Sequence, residues 1–221
     1  MTTADLVIDT NVLIEIFTTY DIEKDACKYF PSPTWDDLAD PRLEKRRRNL
    51  VGSFALIHHI ATNNLRLVMA HTEFKSKLME YAAPNSDAGV WTEILLINII
   101  GPVLGSVDNE SETEHLKKTT ENDEFDQYTR SKASQLRIPL ITRDKESTKI
   151  AIKNDVTVHT PEEYLAVCGV SDIAQAIPRA VAWYRDRVES YLESHPESNV
   201  GHTRDRLMDP ADLCSHISPY K

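Results

Sequence analysis

The feature that most constrains this chain lies within its first seventeen residues. Leu6-Val7-Ile8 is a short, apolar, largely β-branched run, and it passes through Asp9 straight into Thr10-Asn11 and the apolar stretch Val12 to Phe17. A run of that kind reads as a fully buried strand. Thr10 or Asn11 then caps the helix that begins at Val12. A strand that ends in Asp and turns at once into helix sets that carboxylate at the strand's carboxyl end. In open parallel sheets that edge is where ligands bind.

The rest of the chain repeats the alternation. Pro31 and Pro33 break any helix in the irregular stretch from 20 to 40. Asp40-Pro41 has the form of an N-cap followed by proline at the first helical position. Beyond it Leu43, Leu50, Phe54, Ile57 and Ala61 recur at helical spacing, which predicts a helix from about 41 to 62, ended by Asn63-Asn64. Leu65 to Met69 is a second strand, followed by a helix from about 71 to 82 that stops before Pro84. The apolar stretch Trp91 to Ile100 fits helix or strand, and residues 102 to 107 form a candidate third strand. After the acidic loop Asp108 to Asp123 come a helix from about 123 to 136, a strand over Ile138 to Thr142, a short helix near Lys145 to Lys153 and a last strand at Val156 to Val158. Thr160-Pro161-Glu162-Glu163 opens a further helix in capping-box form. Strands alternating with helices predict an α/β fold with a mainly parallel sheet.

Beyond Gly169 the pattern changes. Ile173, Ile177, Val181, Tyr184, Val188 and Tyr191 share one face of a helix spanning about 172 to 193. Its apolar face must pack on the domain or on a second copy. The predicted organisation is a domain at 1–168 with a helical insertion at about 20–64, then a C-terminal helical extension and polar tail at 169–221.

Charge and cysteine usage narrow the function classes. Acids outnumber bases 35 to 25, a formal charge of −10, so any polyanion must be held by a local basic patch or by metal ions. Cys27, Cys168 and Cys214 are far apart and odd in number, which argues against a disulfide framework or zinc knuckle and fits a reducing cytoplasm. The polar start at Met1 leads directly into the first strand, so no signal peptide is expected, and no apolar run approaches a membrane span.

Four acids stand out by position: Asp9 at the end of the first strand, Glu73 opening the helix after Leu65–Met69, Asp126 in the helix before Ile138, and Asp144 just past the next strand. Four carboxylates converging on one sheet edge repel one another unless cations sit between them. Mg2+ and Mn2+ suit such an all-oxygen set. Two such ions about 3.5–4 Å apart can hold an attacking water and a leaving oxygen for phosphodiester cleavage. Taken singly, each acid reads more simply as a surface residue or helix cap, and Asn11 as an N-cap. The ordered set is what carries the functional reading.

That set resembles the PIN-domain nucleases, of the VapC-like ribonuclease kind. The resemblance lies in Leu6 to Asn11, in Ala70-His71-Thr72-Glu73-Phe74, and above all in Asp126, Ala133 seven residues on, and the strand ending Thr142-Arg143-Asp144, with 18 residues from Asp126 to Asp144. Val156 to Leu165 is similar to the family's closing strand and helix, so the likeness covers roughly residues 4 to 168. It implies a five-stranded parallel sheet of order 3-2-1-4-5 flanked by helices, with Asp9 and Asp144 as neighbours. It further implies RNA as substrate and Mg2+ or Mn2+ as cofactor. Asp9, Glu73, Asp126 and Asp144 match the acidic quartet, Asn11 the residue that steadies the first Asp by hydrogen bonding, and Thr142 the strand-end hydroxyl. Many relatives are toxins whose antitoxin partner covers the acidic cleft. This chain departs from them in the insertion of about 40 residues, a candidate clip or dimer surface, and in its C-terminal extension. It departs also in Lys145-Glu146, where relatives often carry a further Asp.

The expected function is therefore metal-dependent endoribonuclease, with Arg143 and Lys145 beside the cleft, and Arg46 and Arg47 on the long helix, as candidate RNA contacts. The alternative is a non-catalytic PIN-like scaffold that binds protein or RNA. An aspartyl-phosphate phosphatase ranks last, because it normally needs a second Asp where this chain has Asn11.

Overall fold

The computed structural model describes residues 4–21, 26–29, 44–81, 99–104 and 124–196. Its central sheet is built from β1 (Leu6–Ile8), which leads through Asp9 into α1 (Thr10–Phe17) as the strand–Asp–helix pattern requires. β2 (Thr18–Asp21) and β3 (Ala26–Tyr29) form a separate antiparallel pair. This hairpin falls at the start of the stretch where an irregular segment is expected. The helix expected from about 41 is α2 (Glu44–Thr62). Then come β4 (Leu67–Val68) and α3 (His71–Tyr81). A single 3-10 turn at Gly101–Val103 stands where a third strand is expected, and Leu104 beyond it makes one parallel bridge to Leu67. The chain continues through α4 (Glu124–Leu136), β5 (Leu140–Ile141), α5 (Lys145–Lys153), β6 (Val158–His159), α6 (Pro161–Val167) and α7 (Ile173–Ser194). Residues 105–107 of the expected third strand, residues 91–98 of the apolar stretch, the expected 108–123 loop and the polar tail lie outside the described residues.

The sheet is parallel throughout, in the order β4-β1-β5-β6. Its period-two alternation divides the core. Leu6, Ile8, Leu67 and Ile141 point to one face, where Leu50, Phe54, Ile57 and Ile60 of α2 and Phe74 of α3 cover them. Val7, Val68 and Leu140 point to the other face, against Ala133 of α4 and Ala151 of α5. Two covered faces explain why the strands are almost wholly apolar. The amphipathic face of α7 resolves onto the domain itself: Ile177, Ala180, Tyr184, Val188 and Tyr191 join the core on the α2 side. The Tyr184 ring meets Phe54 of α2 edge-on at 5.5 Å between centroids. Among the described residues no helix is long and apolar enough to cross a membrane.

Four helices stop by the same device. Leu65 N–H bonds Ile60 C=O, Ile138 bonds Ala133, Val156 bonds Ala151 and Val170 bonds Leu165, each at 2.9–3.1 Å. Each is a bond across five residues that closes a Schellman-type end. The residue before each donor has positive φ: Asn64, Arg137, Asp155 and Gly169. The stop expected at Asn63-Asn64 is thus an αL cap. Three of these abrupt ends return the chain to the sheet at once, at β4, β5 and β6, and the fourth, at Gly169, turns it toward α7.

Candidate functional site

β1 and β5 are adjacent, with Val7 opposite Leu140 and Ile8 opposite Ile141. The chain leaves β1 toward β4 on one side and leaves β5 toward β6 on the other, so the crevice at their carboxyl ends is a switch point of the sheet. Asp9 and Thr142 are the first residues past these two strands. The ladder carries on to them: Asp9 N–H donates to Ile141 C=O at 2.9 Å, and Thr142 N–H to His159 C=O at 3.0 Å.

Asp9 is 4% exposed. Its Oδ2 accepts from the Thr142 hydroxyl at 2.6 Å, and its Oδ1 accepts from the Asn11 main-chain N–H at 2.9 Å. Burial pushes its carboxyl above the ordinary 3.8. The Thr142 hydroxyl, the Asn11 N–H and the Lys77 charge pull it down, while the Asp144 charge pushes it further up. Thr142 is itself buried, and its oxygen accepts from Asp144 N–H at 3.0 Å. One hydroxyl therefore links the two strand-end acids. Asp144 is exposed and serves as N-cap of α5, its Oδ1 accepting from Ser147 N–H at 2.6 Å.

Glu73 stands in the first turn of α3 and is also buried. Its Oε2 accepts from the Thr10 hydroxyl at 2.6 Å, and its Oε1 pairs with the Lys77 ammonium one turn on. Lys77 Nζ in turn donates to the Asn11 side-chain oxygen at 3.0 Å. Burial raises the Glu73 carboxyl above 4.5. Lys77 and Thr10 oppose this, and the Asp9 charge adds to it. The influence of Asp9 on Glu73, and of Asp144 on Asp9, places three of the four expected acids around one crevice.

Asp126 stands half-buried in the first turn of α4, on the far face of the sheet from α2. Among the described residues, no three Asp, Glu, His or Cys side chains are gathered closely enough to hold one ion together. The expected quartet is therefore present in sequence order but not drawn together as a complete ligand shell.

The other expected residues divide. Asn11 steadies Asp9 as expected, but through its main chain, while its side chain faces Lys77. Arg143 turns away from Asp144. Its guanidinium pairs with Glu15 of α1 and with Glu162 of α6 at 2.6 Å, and donates to Ser53 Oγ and Asn49 C=O of α2, each at 2.8 Å. It clamps three helices to the end of β5. Gly52 makes room for that clamp, because a Cβ there would fall 1.8 Å from Glu162 Oε1. Lys145 is exposed beside Asp144, and Glu146 is exposed and paired with Lys149 at 3.2 Å. The side chains of Arg46 and Arg47 lie outside the described residues. His58 and His59 of α2 are half-buried, and the His58 ring packs edge-on to Trp183.

Sequence reasoning missed Thr10 and Lys77. The Glu73-to-Lys77 spacing of one helical turn was the available signal for the lysine. No protein-family pattern, curated protein or solved structure matches the chain.

Proposed function

We propose that the chain is a metal-dependent ribonuclease of PIN type, hydrolysing RNA phosphodiester bonds with Mg2+ or Mn2+. The observation that carries this reading is the buried Asp9, held by Thr142 and Asn11 at the sheet's switch point with Glu73 and Asp144 beside it. A second observation supports it. The Leu104 bridge lies on the outer side of β4, so counting it as the third strand makes the order 3-2-1-4-5.

The donor set suits a hard divalent cation: every candidate ligand is oxygen, and an ammonium already stands as a cation against Glu73. Mg2+ commonly keeps several waters and takes only one or two protein carboxylates, so a pair such as Asp9 and Asp144 suffices as an anchor. When bound, such an ion neutralises the carboxylates, polarises a phosphoryl oxygen and acidifies water. The chain's own residues do the rest. Thr142 and the Asn11 N–H fix both Asp9 oxygens, so one lone pair on each remains directed outward. Asp144 reaches the crevice from the start of α5, Glu73 borders it from α3, and Asp126 is the fourth proposed acid. Lys145, exposed next to Asp144, offers a positive charge to the RNA backbone.

The test is cleavage of single-stranded RNAs by the purified chain with Mn2+ or Mg2+. Wild type should cut, and Asp9→Asn and Asp144→Asn should lose at least 100-fold, the order expected when charge stabilisation at the reacting centre is removed. Equal cutting by wild type and Asp9→Asn would refute the reading. The scaffold alternative draws on the incomplete ligand shell. It predicts no heat of divalent-ion binding in calorimetry and no nuclease activity.

A further inference from the structure

We infer that Lys77 takes the position of a second metal ion, so that this crevice binds one divalent cation rather than two. The inference rests on the metal-site reading above. Glu73 is the acid that a two-ion site would use for its second ion. Here both of its oxygens are engaged, Oε2 by the Thr10 hydroxyl and Oε1 by the Lys77 ammonium. The ammonium is not a loose surface charge. Its side chain is only 15% exposed, and Asn11 Oδ1 holds it from the opposite side at 3.0 Å. Asn11 thus joins the two ends of the crevice. Its main-chain N–H binds Asp9, and its side chain binds the lysine.

A second divalent ion at Glu73 would have to evict this ammonium. It would also have to accept a positive charge a few ångströms away in a partly dehydrated crevice, where repulsion is strong. Among the described residues, Thr142 and backbone N–H groups are the hydrogen-bond partners of Asp9 and Asp144, while Lys77 bears on Asp9 through its charge. The crevice is therefore asymmetric. One end is pre-neutralised by a built-in cation, and the other is left for a metal.

Mn2+ titration of the full chain tests this, with bound ion counted from the electron-paramagnetic-resonance signal of free Mn2+ and checked by calorimetry with Mg2+. Wild type should bind one ion. Lys77→Met should bind a second ion or hold the first at least 10-fold more tightly, and Lys77→Arg should keep the wild-type count. Lys77→Gln, which retains a donor to Glu73, serves as a second neutral variant should Lys77→Met fail to fold. A lysine that only stabilises α3 predicts a lower melting temperature with an unchanged ion count, and that result overturns the inference. Two ions bound by wild type overturn it as well and leave the metal reading standing. No ion bound by any of the four proteins removes both.

Discussion

Removing the Thr142 hydroxyl isolates the bond on which the crevice depends. Thr142→Val keeps the volume and the β-branch that suit a strand end, and it deletes one oxygen. That oxygen donates to the buried Asp9 carboxylate at 2.6 Å and accepts from Asp144 N–H at 3.0 Å. A hydrogen bond to a charged group contributes roughly 1.5–3 kcal/mol, and an ordinary one about 1 kcal/mol. Asp144 is exposed, so water replaces much of the second bond. The expected loss at pH 7 is about 3 kcal/mol, a fall in Tm of roughly 6–12 °C for a chain of this size. The pH dependence sharpens the test. The hydroxyl lowers an Asp9 carboxyl that burial has already raised above 3.8. Its removal raises that carboxyl further in the folded state only, so the fold binds the proton more tightly than the unfolded chain does. The unfolded carboxyl is the same in both proteins, so stability of the variant relative to wild type falls as pH climbs from the wild-type folded value, itself above 3.8, to the variant's higher one, then levels off. Near pH 3.5 the folded Asp9 carboxyl is protonated in both proteins, and the gap should shrink to about 1 kcal/mol, the worth of a neutral hydrogen bond. Urea unfolding from pH 3.5 to 8 measures it, and Thr142→Ser should recover most of the loss. A gap below 0.5 kcal/mol, or one that stays flat with pH, refutes the assignment of this bond.

Three further perturbations follow from the same contacts. Tyr184→Ala removes a buried ring that joins α7 to Phe54 and should cost about 3–5 kcal/mol by urea denaturation; a loss under 1 kcal/mol would show that α7 is not part of the core. Gly52→Ala drives a Cβ into Glu162, so that residue should swing to solvent and leave Arg143 with Glu15, lowering stability by about 1 kcal/mol in a thermal melt; Gly52→Ala combined with Glu162→Ala should show no added loss. Divalent ions should raise Tm more at pH 7.5 than at pH 5, because Asp9, raised above its ordinary 3.8, destabilises the fold increasingly as it ionises and the proposed cation would remove that cost; an equal rise at both pH values contradicts it.

The fold was legible where local pattern and global packing agree. Leu6-Val7-Ile8-Asp9, the αL stop at Asn64 and the capping box Thr160–Glu163 all stand as their residues predict. It was illegible where tertiary contact decides. Thr18–Tyr29 pairs as a hairpin that no turn dipeptide announces. Within the described part of the expected third strand, Leu104 follows a 3-10 turn and makes a single bridge to Leu67 that the local sequence does not announce. The last strand sits later than expected because Val156 N–H closes the end of α5, and pairing starts at Val158. Within the site, sequence order pointed to Asp9, Glu73 and Asp144, whose charges bear on one another in the fold, but not to the direction of their neighbours. Arg143 lies between two site residues and so looked like one of them. Yet two-residue alternation puts it with Ile141, facing α2, while Thr142 shares the side of Asp9.

The same alternation explains why the crevice is costly and why that cost bears on function. Asp9 follows Ile8 at the end of a strand buried on both faces, and Glu73 adjoins Phe74 in the core. An apolar residue at either place would extend the packing, whereas a carboxylate there is desolvated and prefers its proton. Thr10 and Asn11 of α1, Lys77 of α3 and Thr142 just past β5 offset part of that penalty. They do not cancel it, since burial remains the largest influence on both acids. Two buried carboxylates sit at the carboxyl edge of a parallel sheet, Glu73 paired with Lys77 and Asp9 steadied by hydrogen bonds. The arrangement is destabilising by itself, and the proposed cation would offset that cost. Such a crevice is therefore better explained by what it binds than by what it adds to the fold.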